Sequence, residues 1–161
     1  YHPDFSENIH HEVELVLKIK KNGKKILPGF GADYFDEIGL GIDFTARDLQ
    51  DKLKEKGQPW ELAKAFDNSA VLGHFLPKSQ FVSMADIAFS LQKNGQLVQA
   101  GNSKDLIFTF DYLIEFISKY FTLQTGDLIY TGTPAGVGAV KPGDKLEGFL
   151  GAESMFVCEI K

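Results

Sequence analysis

The sequence contains a single cysteine among its 161 residues, Cys158. An internal disulfide is therefore excluded, and with it the class of small secreted domains that depend on such bonds. Cys158 lies in the alternating run 154–160, which is typical of a strand, so we predict that it is a buried small hydrophobe. The lack of disulfides predicts a reducing compartment, and we expect the cytoplasm.

Long apolar runs and an excess of positive charge are also missing. No stretch approaches the roughly 18 apolar residues that a membrane-spanning helix needs, and no basic-then-apolar signal opens the chain. Lysine and arginine total 17 against 22 aspartates and glutamates, which gives a formal net charge of -5. Nucleic acids and anionic membranes are bound through excess positive charge, so neither is expected as a partner.

Phenylalanine and glycine are abundant, with 14 and 16 residues, which favours strands joined by tight turns. Alternating or apolar runs predict strands over 10–21, 37–44, 87–93, 97–101, 128–131, 145–150 and 153–160. The first strand is predicted to be half-buried, with Val13, Leu15, Leu17 and Ile19 on one face, and Asn94-Gly95 predicts a hairpin between 87–93 and 97–101. Helical spacing predicts short helices over 45–56, with Thr45 as the cap, and over 111–120. Residues 59–78 are expected to be irregular, with at most a helical turn near 60–64. The sequence therefore predicts one domain over 1–161, mainly β (α+β), with two or three short helices.

Three acidic residues stand where a strand pattern can bring carboxylates together. Glu12 and Glu14 are two apart, so both side chains project from one face of their strand, and Asp43 ends a second strand. Carboxylates without cysteine suit a hard ion such as Mg2+, Mn2+ or Ca2+. On spacing alone, a solvated strand face and local hydrogen bonding of Asp43 at the helix start remain open alternatives.

Arg47 and Gln50 share one face of the first turn of the predicted helix, directed toward the strand end that carries Asp43. Arginine can bind a carboxylate through two nitrogens, and a glutamine amide can orient an oxygen or a water. Lys64 follows an apolar segment, where a partly buried ammonium can stabilise an enolate. A surface ion pair for Arg47 and Gln50, and a solvent-directed ammonium for Lys64, remain the simpler alternatives.

A glycine-rich loop, 131–138, follows an apolar strand. It is no phosphate-binding P-loop, because no Gly-Lys-Ser/Thr follows it. The loop can present backbone N–H groups and the Thr133 hydroxyl to a substrate carboxylate, and a plain turn is the alternative. His10 and His11 point to opposite faces of a strand, so both cannot bind one ion, and we interpret them as structural or as neighbours of the ligands, like His74.

These motifs occur in an order that resembles the fumarylacetoacetate hydrolase family, and most of all its acylpyruvase and oxaloacetate decarboxylase branch. The matching segments are His11-Glu12-Val13-Glu14-Leu15, the run 41–50, Gly57-Gln58-Pro59-Trp60 with the run 63–67, Gly126-Asp127 and the loop 131–138. Each motif alone is weak, but together they cover nearly the whole chain. The resemblance implies a mixed β-sandwich roll of the family's C-terminal type, paired into a homodimer.

The resemblance also implies which residues form the site. It favours these roles over the simpler alternatives given above. Glu12, Glu14 and Asp43 match the family's ligands for Mg2+ or Mn2+. Arg47, Gln50 and Lys64 match positions near the metal and the substrate. Thr133 matches the residue that helps to hold a substrate carboxylate or the attacking water. All four of these latter residues are therefore candidate catalytic and substrate-binding groups.

The implied function is metal-dependent cleavage of a C–C bond in small 2,4-dioxo acids, with an enolate stabilised by the metal and Lys64. Oxaloacetate decarboxylation and keto–enol isomerisation of 2-oxo acids pass through the same enolate and are the alternatives. Family members usually carry an upstream lid segment with a water-activating His/Glu pair, which has no counterpart in the sequence given. A non-catalytic metal-binding β domain is therefore a further hypothesis, and a plain interaction module is a third.

Overall fold

The computed structural model describes residues 2–161. Its strands are β1 (Ile9–His11), β2 (Val13–Ile19), β3 (Phe35–Asp43), β4 (Thr45–Ala46), β5 (Ala70–Pro77), β6 (Ala88–Lys93), β7 (Gln96–Asn102), β8 (Leu128–Tyr130), β9 (Gly138–Ala139), β10 (Lys145–Leu150) and β11 (Glu153–Glu159). Its α-helices are α1 (Arg47–Glu55), α2 (Glu61–Lys64) and α3 (Phe110–Tyr120), and short 3-10 helices span Gly31–Tyr34, Lys78–Gln80 and Ser103–Asp105. The predicted class, mainly β with two or three short helices, is confirmed.

Two four-stranded antiparallel sheets form the body of the fold. One has the strand order β5-β3-β2-β8 and the other β11-β10-β6-β7. β10 and β11 pack against β3, and Gly148 allows the close approach, because a β-carbon there would meet Leu40 of the other sheet at 2.9 Å. Leu15 and Leu17 of β2 are fully buried in the resulting core, which is the predicted inward face of that strand.

The first predicted strand is interrupted at Glu12. β1 belongs to a third, small sheet of order β4-β1-β9, whereas β2 belongs to the larger sheet with β3 and β8. The Glu12 carbonyl lies at the junction and accepts a hydrogen bond of 2.9 Å from the backbone N–H of Asp43. The junction therefore places two of the predicted acidic residues on neighbouring stretches of backbone.

Two local predictions were wrong. Residues 70–77 form β5, which pairs with β3, although the region 59–78 was expected to be irregular. The alternation of buried and exposed residues in β5 is weak, because none of its eight residues is fully buried. Thr45 lies in β4 and does not cap the first helix, which begins at Arg47 without a side-chain cap. By contrast, the predicted hairpin forms, since Asn94 and Gly95 have φ values of 53° and 78° and join β6 to β7 as a primed turn requires.

Within residues 2–161, the structure holds no helix with the length and apolar character that a bilayer crossing requires.

Candidate metal centre

Three carboxylates gather where β2 and β3 meet the small sheet. Glu14 of β2 lies opposite Gly41 of β3, and Asp43 ends β3 two residues later on the same face. Glu12, Glu14 and Asp43 can each contribute one oxygen to a group whose members all lie within 4.8 Å of one another. Glu12 and Glu14 are only 8% and 5% exposed, so a solvated strand face does not describe them.

Lys64 binds two of these carboxylates. Its Nζ lies 2.8 Å from Glu12 Oε2 and 2.7 Å from Asp43 Oδ2, and it also donates to Thr45 Oγ1 at 2.7 Å. The last residue of α2 thereby reaches the ends of β3 and β4, which contradicts a solvent-directed ammonium. All three N–H donors of the ammonium are used, so its position is fixed from three directions.

Arg47 forms the second cationic contact. Its Nη2 donates to Glu12 Oε1, and its Nη1 donates to Gln50 Oε1 at 2.7 Å. Gln50 is 3% exposed and lies three residues later on α1, as the helical spacing predicted. Hydrogen bonds thus join Arg47, Gln50, Lys64, Glu12 and Asp43 into one network, in place of a surface ion pair, and Glu14 lies beside it.

The charges of the network are unequally compensated. Burial disfavours ionisation of Glu12, but its hydrogen bonds from Lys64 and Arg47 outweigh burial and lower its pKa. At Asp43, burial outweighs the single bond from Lys64 and raises the pKa. Burial raises the pKa of Glu14 to about 7. The neighbouring Asp43 and Glu12 carboxylates add to this shift, and the hydrogen bond from Gly132 opposes it. Glu14 is therefore the carboxylate of the cluster whose ionised form is least stabilised by its surroundings.

Glu14 should make the metal-free protein lose stability as the pH rises. Its pKa is about 7 when folded and near 4.5 in an unfolded chain, so its contribution is fully present below about pH 4.5 and is lost as the pH rises through about 7. We expect Glu14→Gln, which mimics the protonated form, to become more stable relative to wild type as the pH rises. The difference in free energy of unfolding should grow by on the order of 1–3 kcal/mol between about pH 5 and pH 8. Urea denaturation with a chelator present measures this difference, and a gap independent of pH would contradict it.

The glycine-rich loop is attached to β2 through Thr131, Gly132 and Thr133. The Thr131 and Thr133 hydroxyls donate to the carbonyls of Leu15 and Val13 at 3.0 and 2.9 Å. The Gly132 N–H donates to Glu14 Oε2 at 2.6 Å. The loop is therefore more than a plain turn, and it places Thr133 beside Val13, between the two glutamates.

The histidines take no part in the carboxylate network within the described residues. His11 Nδ1 is bonded to Gln99 Oε1 at 2.8 Å, and His10 Nε2 is bonded to Asn8 Oδ1 at 2.9 Å. His74 contacts the backbone carbonyl of Met155. Burial lowers the pKa of both His10 and His11, which favours their neutral forms.

Tyr130 is a neighbour of the cluster that sequence reasoning missed. Its hydroxyl donates to the Val71 carbonyl at 2.9 Å, and the ring crosses Gly41, where a β-carbon would lie 2.8 Å from the Tyr130 oxygen. Burial, then the nearby Asp43 and Glu14 carboxylates, raises the pKa of Tyr130 to about 12. The glycine at position 41 allows this close approach, but no local sequence pattern indicates which side chain makes it.

The donor chemistry of the cluster fits a hard divalent cation. All three donors are carboxylates, which Mg2+ and Mn2+ accept and which suit zinc less well without histidine or cysteine. Lys64 and Arg47 supply two positive charges for three carboxylates, and among residues 2–161 Glu14 receives a hydrogen bond only from the Gly132 backbone amide. A divalent cation would relieve the repulsion from Asp43 and Glu12 that adds to burial in raising the pKa of Glu14.

The fold and this cluster define a mainly β protein with a carboxylate site suited to a hard divalent cation. More specifically, the chain belongs to the fumarylacetoacetate hydrolase family, because the family model described as fumarylacetoacetate (FAA) hydrolase C-terminal matches residues 1–161. The family resemblance inferred from the ordered motifs is thereby confirmed.

Relatives of this chain include proteins named for oxaloacetate chemistry. The mitochondrial oxaloacetate tautomerase of Rattus norvegicus is 43% identical over 154 residues, which cover 95% of this chain and 70% of that protein. The mitochondrial oxaloacetate decarboxylase of Dictyostelium discoideum is 39% identical over 150 residues, 92% of this chain and 69% of that protein. The names of both relatives place them in mitochondria, and the cytoplasmic location expected for this chain stays a prediction.

A solved structure of similar fold contains a metal ion. It is the fumarylpyruvate hydrolase of Pseudomonas aeruginosa in complex with Mn2+ and pyruvate, with a TM-score of 0.92 and 37% identity. The match covers 99% of this chain and 68% of that one. The family thus includes named tautomerases, decarboxylases and hydrolases, and at least one member that binds Mn2+. The homodimer stays a prediction.

Proposed function

We propose that this protein is a divalent-metal-dependent enzyme that interconverts the keto and enol forms of small 2-oxo acids of the oxaloacetate class. The observation that carries the proposal is the position of Lys64, whose ammonium binds Glu12 and Asp43 together. Keto–enol exchange moves a proton between carbon 3 and the oxygen on carbon 2, and its costly species is the enolate. A fixed cation beside the carboxylates lowers that cost.

The proposed ligands are Glu12, Glu14 and Asp43, and the proposed ion is Mg2+ or Mn2+. Bound there, the ion would supply Lewis acidity toward the oxygens of the 2-oxo acid head. Support comes from the donor set described above and from the Mn2+ in the related fumarylpyruvate hydrolase.

The neighbouring residues divide the remaining work. The hydrogen bonds of Lys64 with Asp43 and Glu12 outweigh burial and raise the pKa of the lysine, so it acts as a cation and not as a base. Arg47 is held by Gln50 and Glu12, which orients its guanidinium for a substrate carboxylate. The loop amides are the proposed contacts for a substrate carboxylate, and the Thr133 hydroxyl is the proposed contact for an enol hydroxyl or a water.

Cleavage of acylpyruvates is the second candidate, although the sequence favoured it. It shares the enolate and is supported by the structural similarity to the fumarylpyruvate hydrolase. Tautomerisation takes first place because relatives named oxaloacetate tautomerase reach 43% identity with this chain. Decarboxylation of oxaloacetate is the corresponding alternative suggested by the Dictyostelium relative.

The ultraviolet absorbance of the enol tests the proposal directly. Oxaloacetate is supplied as the keto form, and its approach to equilibrium is followed with Mn2+ alone and with Mn2+ plus protein. We expect the protein to accelerate the exchange and to release no more pyruvate than Mn2+ alone does. Release of pyruvate from acetylpyruvate or from oxaloacetate would favour hydrolysis or decarboxylation instead. Binding of Mn2+ without any turnover would indicate the non-catalytic metal-binding domain and contradict the proposal.

A further inference from the structure

Gln99 is a buried amide that joins the two sheets beside the candidate site. It lies on β7 in the second sheet and is 1% exposed. Its Oε1 accepts from His11 Nδ1 at 2.8 Å and from the Val13 N–H at 3.1 Å. Its Nε2 donates to Thr133 Oγ1 at 2.9 Å and to the Pro134 carbonyl at 3.0 Å. All four hydrogen-bonding positions of the amide are therefore used.

The orientation of this amide is fixed by chemistry. The backbone N–H of Val13 can only donate, and the backbone carbonyl of Pro134 can only accept. Oxygen must therefore face Val13 and nitrogen must face Pro134. His11 is then required to carry its proton on Nδ1, so the ring serves as a donor to Gln99.

Gln99, Thr133 and Val13 form a closed cycle of hydrogen bonds. Val13 donates to Gln99, Gln99 donates to Thr133, and the Thr133 hydroxyl donates back to the Val13 carbonyl at 2.9 Å. Val13 stands between Glu12 and Glu14, two of the proposed ligands. The cycle therefore ties the start of β2, next to Glu12 and Glu14, to the glycine-rich loop.

The cycle also sets the polarity of the Thr133 hydroxyl. Its single proton is given to Val13, and one of its two lone pairs is taken by Gln99. The remaining lone pair can only accept, so this hydroxyl is available to a water or a substrate hydroxyl and not to a carboxylate. A substrate carboxylate is left to the loop amides and to Arg47.

The loop is held against β7 by a second feature. Gly136 has a φ of 100°, and a β-carbon there would collide with the carbonyl of Val98, the residue before Gln99. The loop backbone therefore lies directly on β7 at the point where the Gln99 side chain begins.

We propose that Gln99 is a positioning residue that locks the glycine-rich loop to the ligand-bearing strand and holds Thr133 as a hydrogen-bond acceptor. Its effect on ligand binding rests on the proposed function, whereas its effect on the loop does not. The two effects are therefore measured separately.

Hydrogen exchange of the metal-free protein tests the structural part. In Gln99→Met, the amides of 132, 133 and 135–138 are expected to exchange at least about tenfold faster, because the two hydrogen bonds from Gln99 to the loop are lost, while the β10–β11 hairpin is unchanged. Gln96→Met, the same change at an exposed position of the same strand, should leave the loop unaltered. Unchanged loop exchange in Gln99→Met would overturn the proposal, whether or not the protein binds metal.

Gln99→Glu is the second variant and serves if Gln99→Met does not fold. It keeps the acceptor for Val13 and His11 but removes the donor toward Thr133 and Pro134. It is expected to loosen the loop in the same way. A loop as protected as in wild type would show that the donor side of Gln99 does not hold it.

Titration of oxalate into Mn2+-loaded protein tests the functional part through a double-mutant cycle. Gln99→Met is expected to weaken oxalate about tenfold, because the loop amides that would bind a carboxylate are no longer held in place, and to change Mn2+ affinity less than about twofold. If Gln99 acts through Thr133, then adding Gln99→Met to Thr133→Val should weaken oxalate little further. If the two substitutions weaken oxalate binding additively, or if Gln99→Met leaves oxalate affinity unchanged, the functional part of the proposal is overturned. Failure of wild type to bind Mn2+ would count against the proposed function alone.

Discussion

Replacing Lys64 with methionine is expected to lower the rate of oxaloacetate keto–enol exchange about 10²- to 10³-fold, the usual cost of removing one preorganised group that stabilises an oxyanion. The ammonium bonds Glu12, Asp43 and Thr45 at once, so it is held in place before a substrate arrives. Methionine keeps an unbranched side chain, one heavy atom shorter, and removes the charge. The rate is measured by the enol absorbance at saturating Mn2+.

Lys52→Met is the matched control, because Lys52 is an exposed lysine of α1. Its turnover should equal that of wild type, and circular dichroism of both variants should be unchanged. If Lys64→Met retained wild-type turnover while folded, Lys64 would not be the group that stabilises the enolate.

Asp43→Asn is expected to weaken Mn2+ binding at least about 100-fold. Loss of a residue that only supports a metal ligand typically costs 10- to 100-fold, and a direct carboxylate ligand should cost more. The amide keeps the shape of the side chain but removes its charge. Lys64 then loses one of its two ion pairs, the one with Asp43. Competition of the protein with a fluorescent metal indicator measures the affinity.

Asp36→Asn provides the comparison for this variant. Asp36 lies on the same strand as Asp43 but is exposed and away from the cluster. Its Mn2+ affinity should match wild type within about twofold. An Asp43→Asn protein that binds Mn2+ as tightly as Asp36→Asn would remove Asp43 from the ligand set.

Much of the fold was predictable because its signals are local. The alternation of 13–19 and the Asn94-Gly95 turn each depend on neighbouring residues, and both appear as predicted. The strand Ala70–Pro77 was missed because most of its side chains are partly exposed and its partner is β3, about 30 residues earlier in the chain. The interruption at Glu12 arises from a small sheet whose strands are distant in sequence.

The site divides in the same way. Glu12 and Glu14 could be placed on one face from their spacing alone, and Arg47 and Gln50 from helical geometry. The position of Lys64 followed only from the family resemblance. The Gln99 amide meets Val13 across 86 residues, and Tyr130 reaches Val71 across 59, so local patterns carry no information about either contact.

Calorimetric titration of Mg2+ and Mn2+ into metal-free protein, with and without oxalate, tests the central claim most directly. Oxalate mimics the enolised head of a 2-oxo acid. We predict that wild type binds the ions, that oxalate tightens binding, and that Glu14→Ala abolishes it. The absence of binding to folded wild-type protein, or equal binding by Glu14→Ala, would contradict a metal site formed by Glu12, Glu14 and Asp43.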